Sequence, residues 1–146
     1  LLLSLRPQYA ELILAGNKTI ELRKKRPRVP PGTLVVMYAS QPVCALVGTF
    51  VLRDIVTEQP DALWAEHGAA AGISKDVFDR YYAGHDCAFG LLVDEPRALA
   101  AEIGLAALRK HWEGFHPPQS YRYLRPAKST HSVRLQARDT ITHVSL

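Results

Sequence analysis

The sequence predicts an α+β fold, a small β-barrel of mixed or antiparallel strands with helices packed around its outside. Three observations predict it. Apolar strand-like runs open the chain and return at 33–40, 43–53 and 87–93. Stretches with helical spacing, at 7–16, 57–84 and 105–112, separate those runs. The runs at 33–40 and 43–53 are nearly unbroken in apolar residues, which implies cover on both faces, as in a closed or nearly closed barrel.

Taken in order, Leu1-Leu2-Leu3-Ser4-Leu5 reads as a short strand. Pro7 suits the first position of a helix on which Tyr9, Leu12 and Ile13 follow at helical spacing. Gly16 suits its left-handed cap. In the next strand Ile20 and Leu22 share one parity and face a core, while Thr19, Glu21 and Arg23 share the other. Lys18 leaves the glycine turn beside that polar row. Lys24-Lys25-Arg26-Pro27-Arg28 follows directly, so a row of charges abuts a basic loop and marks a candidate site for a polar or anionic ligand. Pro30-Pro31-Gly32 reads as a turn with Gly32 at positive φ, and Gln41-Pro42 as a tight connection between antiparallel strands. From Thr57 the pattern is helical: Pro60 starts one helix, and Ser74 caps a second that carries Val77, Phe78, Tyr81 and Tyr82. Asp94-Glu95-Pro96 is expected to halt the strand that begins near Cys87. A last helix from about Leu105 to Trp112 precedes Pro117-Pro118.

The expected organisation is one domain over 1–125, with a helical insertion at about 57–84. Residues 126–146 form an extension, read as a hairpin on the alternation of Val133, Leu135 and Ala137 or as a flexible tail. At 146 residues the chain can bury a sizeable core, and no apolar run reaches the length of a membrane span. The opening leucines lack the basic and apolar regions of a signal peptide. Cys44 and Cys87 fit no metal-ligand spacing and read as reduced core thiols, which makes the cytoplasm the default compartment. The formal charge of +4 hides a division: 1–53 carry +6, 54–114 carry −6 and 115–146 carry +4. If the chain ends meet, one surface is basic and another acidic, a layout that can orient a phosphate-bearing partner.

Ser4-Leu5-Arg6-Pro7-Gln8-Tyr9-Ala10-Glu11-Leu12-Ile13, followed by Gly16-x-Lys18-Thr19-x-Glu21-x-Arg23, resembles the ASCH domain family of the PUA-like superfamily. The family's Gly-x-Lys-x-x-Glu-x-Arg pattern is present in full. Tyr38-Ala39-Ser40-x-Pro42 and Phe115-x-Pro117-Pro118-Gln119-Ser120-Tyr121 extend the similarity from about Leu1 to about Leu124. The resemblance implies a PUA-like β-barrel whose cleft holds RNA or a modified nucleobase, with a role in RNA metabolism or regulation. It implies a ligand-binding set of Arg6, Lys18, Glu21, Arg23, Lys24, Lys25, Arg26, Tyr38, Ser40, Gln119, Ser120 and Tyr121.

From spacing alone, Lys18, Glu21 and Arg23 are also what an exposed strand face laced with ion pairs would carry. As a site, Lys18, Arg23 and the 24–28 loop would hold phosphates while Glu21, Ser40 and Gln119 read polar edges. Tyr38 and Tyr121 are read as a cleft wall on which a base stacks, whereas Tyr81 and Tyr82 are read as packing. If the chain is an enzyme, Lys18 and Glu21 are its catalytic candidates. Some small ASCH proteins resemble amidohydrolases acting on N4-acylcytidine, but the position of their nucleophilic threonine carries Glu21 here. Glu21 could instead activate water, and weak ribonuclease action stays open. A protein-interaction adaptor using 57–84 is the remaining alternative. The six histidines form no ligand pattern, and neither a glycine-rich phosphate loop nor a serine elbow is present, so no metal or cofactor is expected.

Overall fold

The computed structural model describes residues 1–126 and 144–145. Six strands form one curled sheet in the order β2-β5-β4-β3-β1-β6. They are β1 (Leu2–Leu5), β2 (Ile20–Arg23), β3 (Leu34–Ala39), β4 (Ala45–Glu58), β5 (Ala88–Gly104) and β6 (Tyr121–Arg122). β1 and β3 run parallel, and every other neighbouring pair is antiparallel. Among the described residues four α-helices pack on this half-barrel: α1 (Pro7–Leu14), α2 (Pro60–His67), α3 (Lys75–Tyr81) and α4 (Leu105–His111). None is long and apolar enough to cross a membrane. A two-residue ladder, β7 (Arg125–Pro126) with β8 (Val144–Ser145), lies outside the main sheet. The alternation of Val133, Leu135 and Ala137, and with it the hairpin-or-tail reading, falls outside the described residues.

Strand parity explains the unbroken apolar runs. Leu3, Leu5, Val35, Met37 and Ala39 point into the barrel with Phe50, Leu52, Leu91 and Val93, and α1 closes that core with Ala10 and Ile13. Leu2, Val36 and Tyr38 point the other way, onto Leu108 of α4 and Phe115. Both faces are therefore dry, as the composition requires. Gly48 marks the contact with α1, because a Cβ there would lie 2.7 Å from Leu14 Cδ2 and 2.6 Å from the Arg97 carbonyl.

The insertion between β4 and β5 consists of α2, a 3-10 turn at Gly68–Ala70 and α3. It builds a second core in which Ile20 and Leu22 of β2 meet Leu63, Ala71, Phe78, Tyr82 and Ala88. Ser74 caps α3, its hydroxyl accepting from the Val77 amide at 3.3 Å. Ser74→Ala is expected to cost about 1 kcal/mol, read as a fall in the urea midpoint with unchanged slope.

Three elements differ from expectation. Asp94-Glu95-Pro96 does not stop β5. The register steps from Thr49↔Arg97 to Val51↔Asp94, and Glu95 takes φ 47°. That irregularity absorbs a proline that a regular ladder would exclude. β4 runs on to Glu58 because its polar end still pairs with β5, down to Glu58↔Ala88. Cys87 is exposed rather than a core thiol, since it precedes the first paired residue of β5.

Candidate functional site

β2 and β6 are the two free edges of the sheet, and curling brings them close together. Arg23, the last residue of β2, spans the gap. Its Nη2 donates to the Ser4 carbonyl at 2.8 Å, and its Nη1 donates to the Ser120 carbonyl at 3.3 Å and the Ser120 hydroxyl at 3.2 Å. The Ser4 amide donates to the Ser120 carbonyl at 2.9 Å, and the Ser4 hydroxyl donates to the Pro118 carbonyl at 2.6 Å. A side chain thus supplies, where the barrel fails to close, the hydrogen bonds that a neighbouring strand would have made.

A cavity of about 440 Å³ opens at this gap. The polar face of β2 forms its floor. Arg6 and Tyr9, at the start of α1, Ser4, Gln119 and Ser120 line it together with Lys24 and Lys25. The insertion contributes Ile73, Val77 and Tyr81. Its charged lining side chains are Arg6, Lys18, Arg23, Lys24, Lys25 and Glu21.

Of the two sequence readings of Lys18, Glu21 and Arg23, a ligand site or an exposed strand face laced with ion pairs, the exposed face is not found: the three are 2%, 5% and 8% exposed. The Glu21 carboxylate sits between two cations, with Lys18 Nζ 3.7 Å from Oε2 and Arg23 Nε 3.4 Å from Oε1. These are charge contacts rather than good hydrogen bonds. Lys18 Nζ donates to the Ala71 carbonyl of the insertion and lies 5.1 Å from the centre of the Tyr9 ring. Its stem passes close to Gly72, where φ is +66° and a Cβ would stand 3.3 Å from Lys18 Cβ. Burial pushes the Lys18 amine below the ordinary lysine range, an effect that the Glu21 charge opposes. Among the described residues, two buried side-chain atoms have no hydrogen-bond partner, Glu21 Oε2 and Arg23 Nε.

Of the residues singled out in the sequence, Arg6, Lys18, Glu21, Arg23, Lys24, Lys25, Gln119 and Ser120 line this cavity. The other four lie elsewhere. Arg26 is exposed and donates to Thr57 Oγ1 at 2.7 Å. Tyr38, 3% exposed, packs on the outer face of β3 under α4 and offers no face to the cavity. The Ser40 carbonyl accepts from Val43 and Cys44 in the turn before β4. Tyr121 packs on the barrel core and donates from its hydroxyl to the Arg26 carbonyl at 3.4 Å.

Sequence reasoning passed over Tyr9 and Tyr81 as lining residues. Adjacent residues on a helix point about 100° apart, so Tyr82 enters the core while Tyr81 turns toward the cavity. That offset was the available signal. Tyr81 donates to the Leu22 carbonyl at 3.3 Å, and Lys24 Nζ lies 4.4 Å from its ring centre. Burial raises the Tyr81 phenol above the usual tyrosine range. Among the described residues no group of three or more His, Cys, Asp or Glu side chains gathers as metal ligands would.

The family model for the ASCH domain matches residues 3–119. A protein of Zymomonas mobilis named ASCH domain-containing ribonuclease is 30% identical over 133 residues, covering 91% of this chain and 89% of that protein. The solved structure of ASCH from Zymomonas mobilis superposes with a TM-score of 0.81 at 31% identity, covering 85% of this chain and 86% of the other. A hypothetical protein, PH0355, shares the fold with a TM-score of 0.51 at 19% identity, over 66% of this chain and 97% of the other.

Proposed function

The chain belongs to the ASCH domain family, and on that premise we propose that it binds RNA, with one nucleotide entering the cavity between the two sheet edges. One observation carries this reading. A cavity of about 440 Å³, within the usual range for ligand pockets, is lined by five cationic side chains and one carboxylate. The cations divide by depth. Lys24, Lys25 and Arg6 are exposed at the rim, where phosphates of a strand can reach them. Lys18 and Arg23 are buried with Glu21 on the floor, within reach only of a group that enters. Tyr9, Tyr81, Ile73 and Val77 add apolar wall suited to a base.

Fluorescence polarisation with single-stranded oligoribonucleotides tests this. Binding is expected to weaken with salt. Lys24→Ala and Lys25→Ala are each expected to reduce the slope of log Kd against log salt by about 0.7, the release expected per phosphate on a single strand. Both lysines are exposed, so neither change disturbs the fold. Salt-independent binding, or slopes unchanged in both variants, would count against a rim that holds phosphate.

The name of the Zymomonas relative favours a second reading, in which the bound strand is cut. Glu21 would take the proton of a 2′-hydroxyl, and the 2′ oxygen would attack the adjacent phosphorus as the bond to the 5′ oxygen breaks. The Lys18 ammonium, whose acidity burial increases, would protonate the leaving oxygen. The products are a 2′,3′-cyclic phosphate and a 5′-hydroxyl. End-labelled RNA resolved on a gel tests this, with Glu21→Gln expected to abolish the product. Cleavage that persists in that variant removes the glutamate from the chemistry.

A further inference from the structure

The two unpartnered atoms on the cavity floor need an explanation, because buried polar groups are paired in folded proteins with few exceptions. Glu21 Oε2 is an acceptor without a donor, and Arg23 Nε is a donor without an acceptor. Both belong to side chains more than nine-tenths buried that line the cavity. With their neighbours they make an ordered row: the Lys18 ammonium, the two Glu21 oxygens and Arg23 Nε, at contacts of 3.7 and 3.4 Å. Read as hydrogen-bonding groups, the row runs donor, acceptor, acceptor, donor.

The complement of that row is a planar edge that runs acceptor, donor, donor, acceptor. Guanine presents it, as O6, N1–H, the 2-amino group and N3. Cytosine places N3 and O2, both acceptors, beside its single amino donor. Adenine likewise sets the N1 acceptor beside its 6-amino group, so in either base a lone pair would face the carboxylate. Uracil offers one N–H between two carbonyls and leaves one Glu21 oxygen unmet. From this match we propose that the cavity is selective for guanine, whose imino and amino hydrogens both bond to Glu21. This rests on the RNA-binding reading above and adds the base that the cavity selects.

The division of roles follows from the floor and the rim. Lys18 and Arg23 contact the flanking acceptors, so their charge serves base recognition, while Lys24 and Lys25, exposed at the rim, serve phosphate. Arg23 has its two terminal nitrogens committed to Ser4 and Ser120, which fixes Nε in place. Recognition of this kind is selective because a base with the wrong edge leaves buried donors and acceptors unpaired.

The test uses the unaltered chain and oligoadenylate decamers carrying one central guanosine, cytidine, uridine, inosine or N1-methylguanosine. Affinity is measured by fluorescence polarisation at fixed salt. The guanosine decamer is expected to bind about ten- to a hundredfold more tightly than the all-adenine, cytidine or uridine decamers. Inosine, which lacks the 2-amino group, is expected to lose about tenfold, and N1-methylguanosine to lose the whole preference. Glu21→Gln, which exchanges one acceptor for a donor, is expected to erase the preference while the rim still binds RNA. Equal affinity for all decamers, or a preference for another base, overturns guanine selectivity and leaves the binding reading intact. Absence of binding by every decamer overturns both.

Discussion

Replacing Lys18 with alanine is expected to cost about 3–5 kcal/mol of stability and to lower the melting midpoint by roughly ten degrees. Lys18 is 2% exposed and holds together three parts of the molecule. Its amine faces Glu21 of β2, donates to the Ala71 carbonyl of the insertion and lies over the Tyr9 ring of α1. Its removal leaves a carboxylate short of one cation and a carbonyl short of its donor in a dry place, and such losses cost more than the pair contributed. Lys18→Met combined with Glu21→Leu is expected to recover part of the loss, since the orphaned carboxylate is gone and volume is kept while the Ala71 carbonyl still lacks its donor and Arg23 its counter-charge. Arg23 keeps its carbonyl acceptors in that variant. Urea unfolding of Lys18→Met, Glu21→Leu and their combination measures the coupling. A Lys18→Ala protein within 1 kcal/mol of the parent would mean that the floor is not held by this ion group.

Phe78→Ala is expected to have a comparable effect on stability, about 3–5 kcal/mol, and a separate effect on binding. The ring is 1% exposed and packs against Trp64 and Tyr82, each with centroids 4.9 Å away. It belongs to the core that fixes the insertion to Ile20 and Leu22. On the same insertion, Ile73, Val77 and Tyr81 form a cavity wall. Loosening that core should weaken RNA binding at temperatures where the variant is still folded. Phe78→Leu, which leaves a smaller void, should lose less of both. Binding unchanged in a folded, destabilised Phe78→Ala protein would show that the insertion does not shape the site.

The fold was largely readable because its signals are local. Pro7 and the Gly16 turn bracket α1, Ser74 caps α3, and the apolar runs of β3 and β4 declare that both faces are covered. Three side chains of the Gly-x-Lys-x-x-Glu-x-Arg pattern, Lys18, Glu21 and Arg23, line the cavity. What the sequence could not convey depends on the meeting of distant segments. From spacing alone, Lys18, Glu21 and Arg23 also fitted a solvated row, because a single strand does not reveal that the opposite sheet edge will curl over it. Tyr38 read as a cleft wall because nothing in 33–40 shows that α4 and Phe115 return to bury that parity. Asp94-Glu95-Pro96 read as a stop because a bulge is a property of two paired strands. Tyr81 packs against the insertion core as read, and its second role on the cavity wall was hidden because one helical step separates it from the residue that enters the core.

The central claim is that the gap between β2 and the 118–120 segment admits a nucleotide onto the Lys18–Glu21–Arg23 floor. A crystal structure of the chain with a short guanosine-containing oligoribonucleotide tests it most directly. The account predicts a base inside the cavity with its edge within hydrogen-bond distance of Glu21, and phosphates beside Lys24 or Lys25. RNA bound on another face, with the cavity left empty, would contradict it.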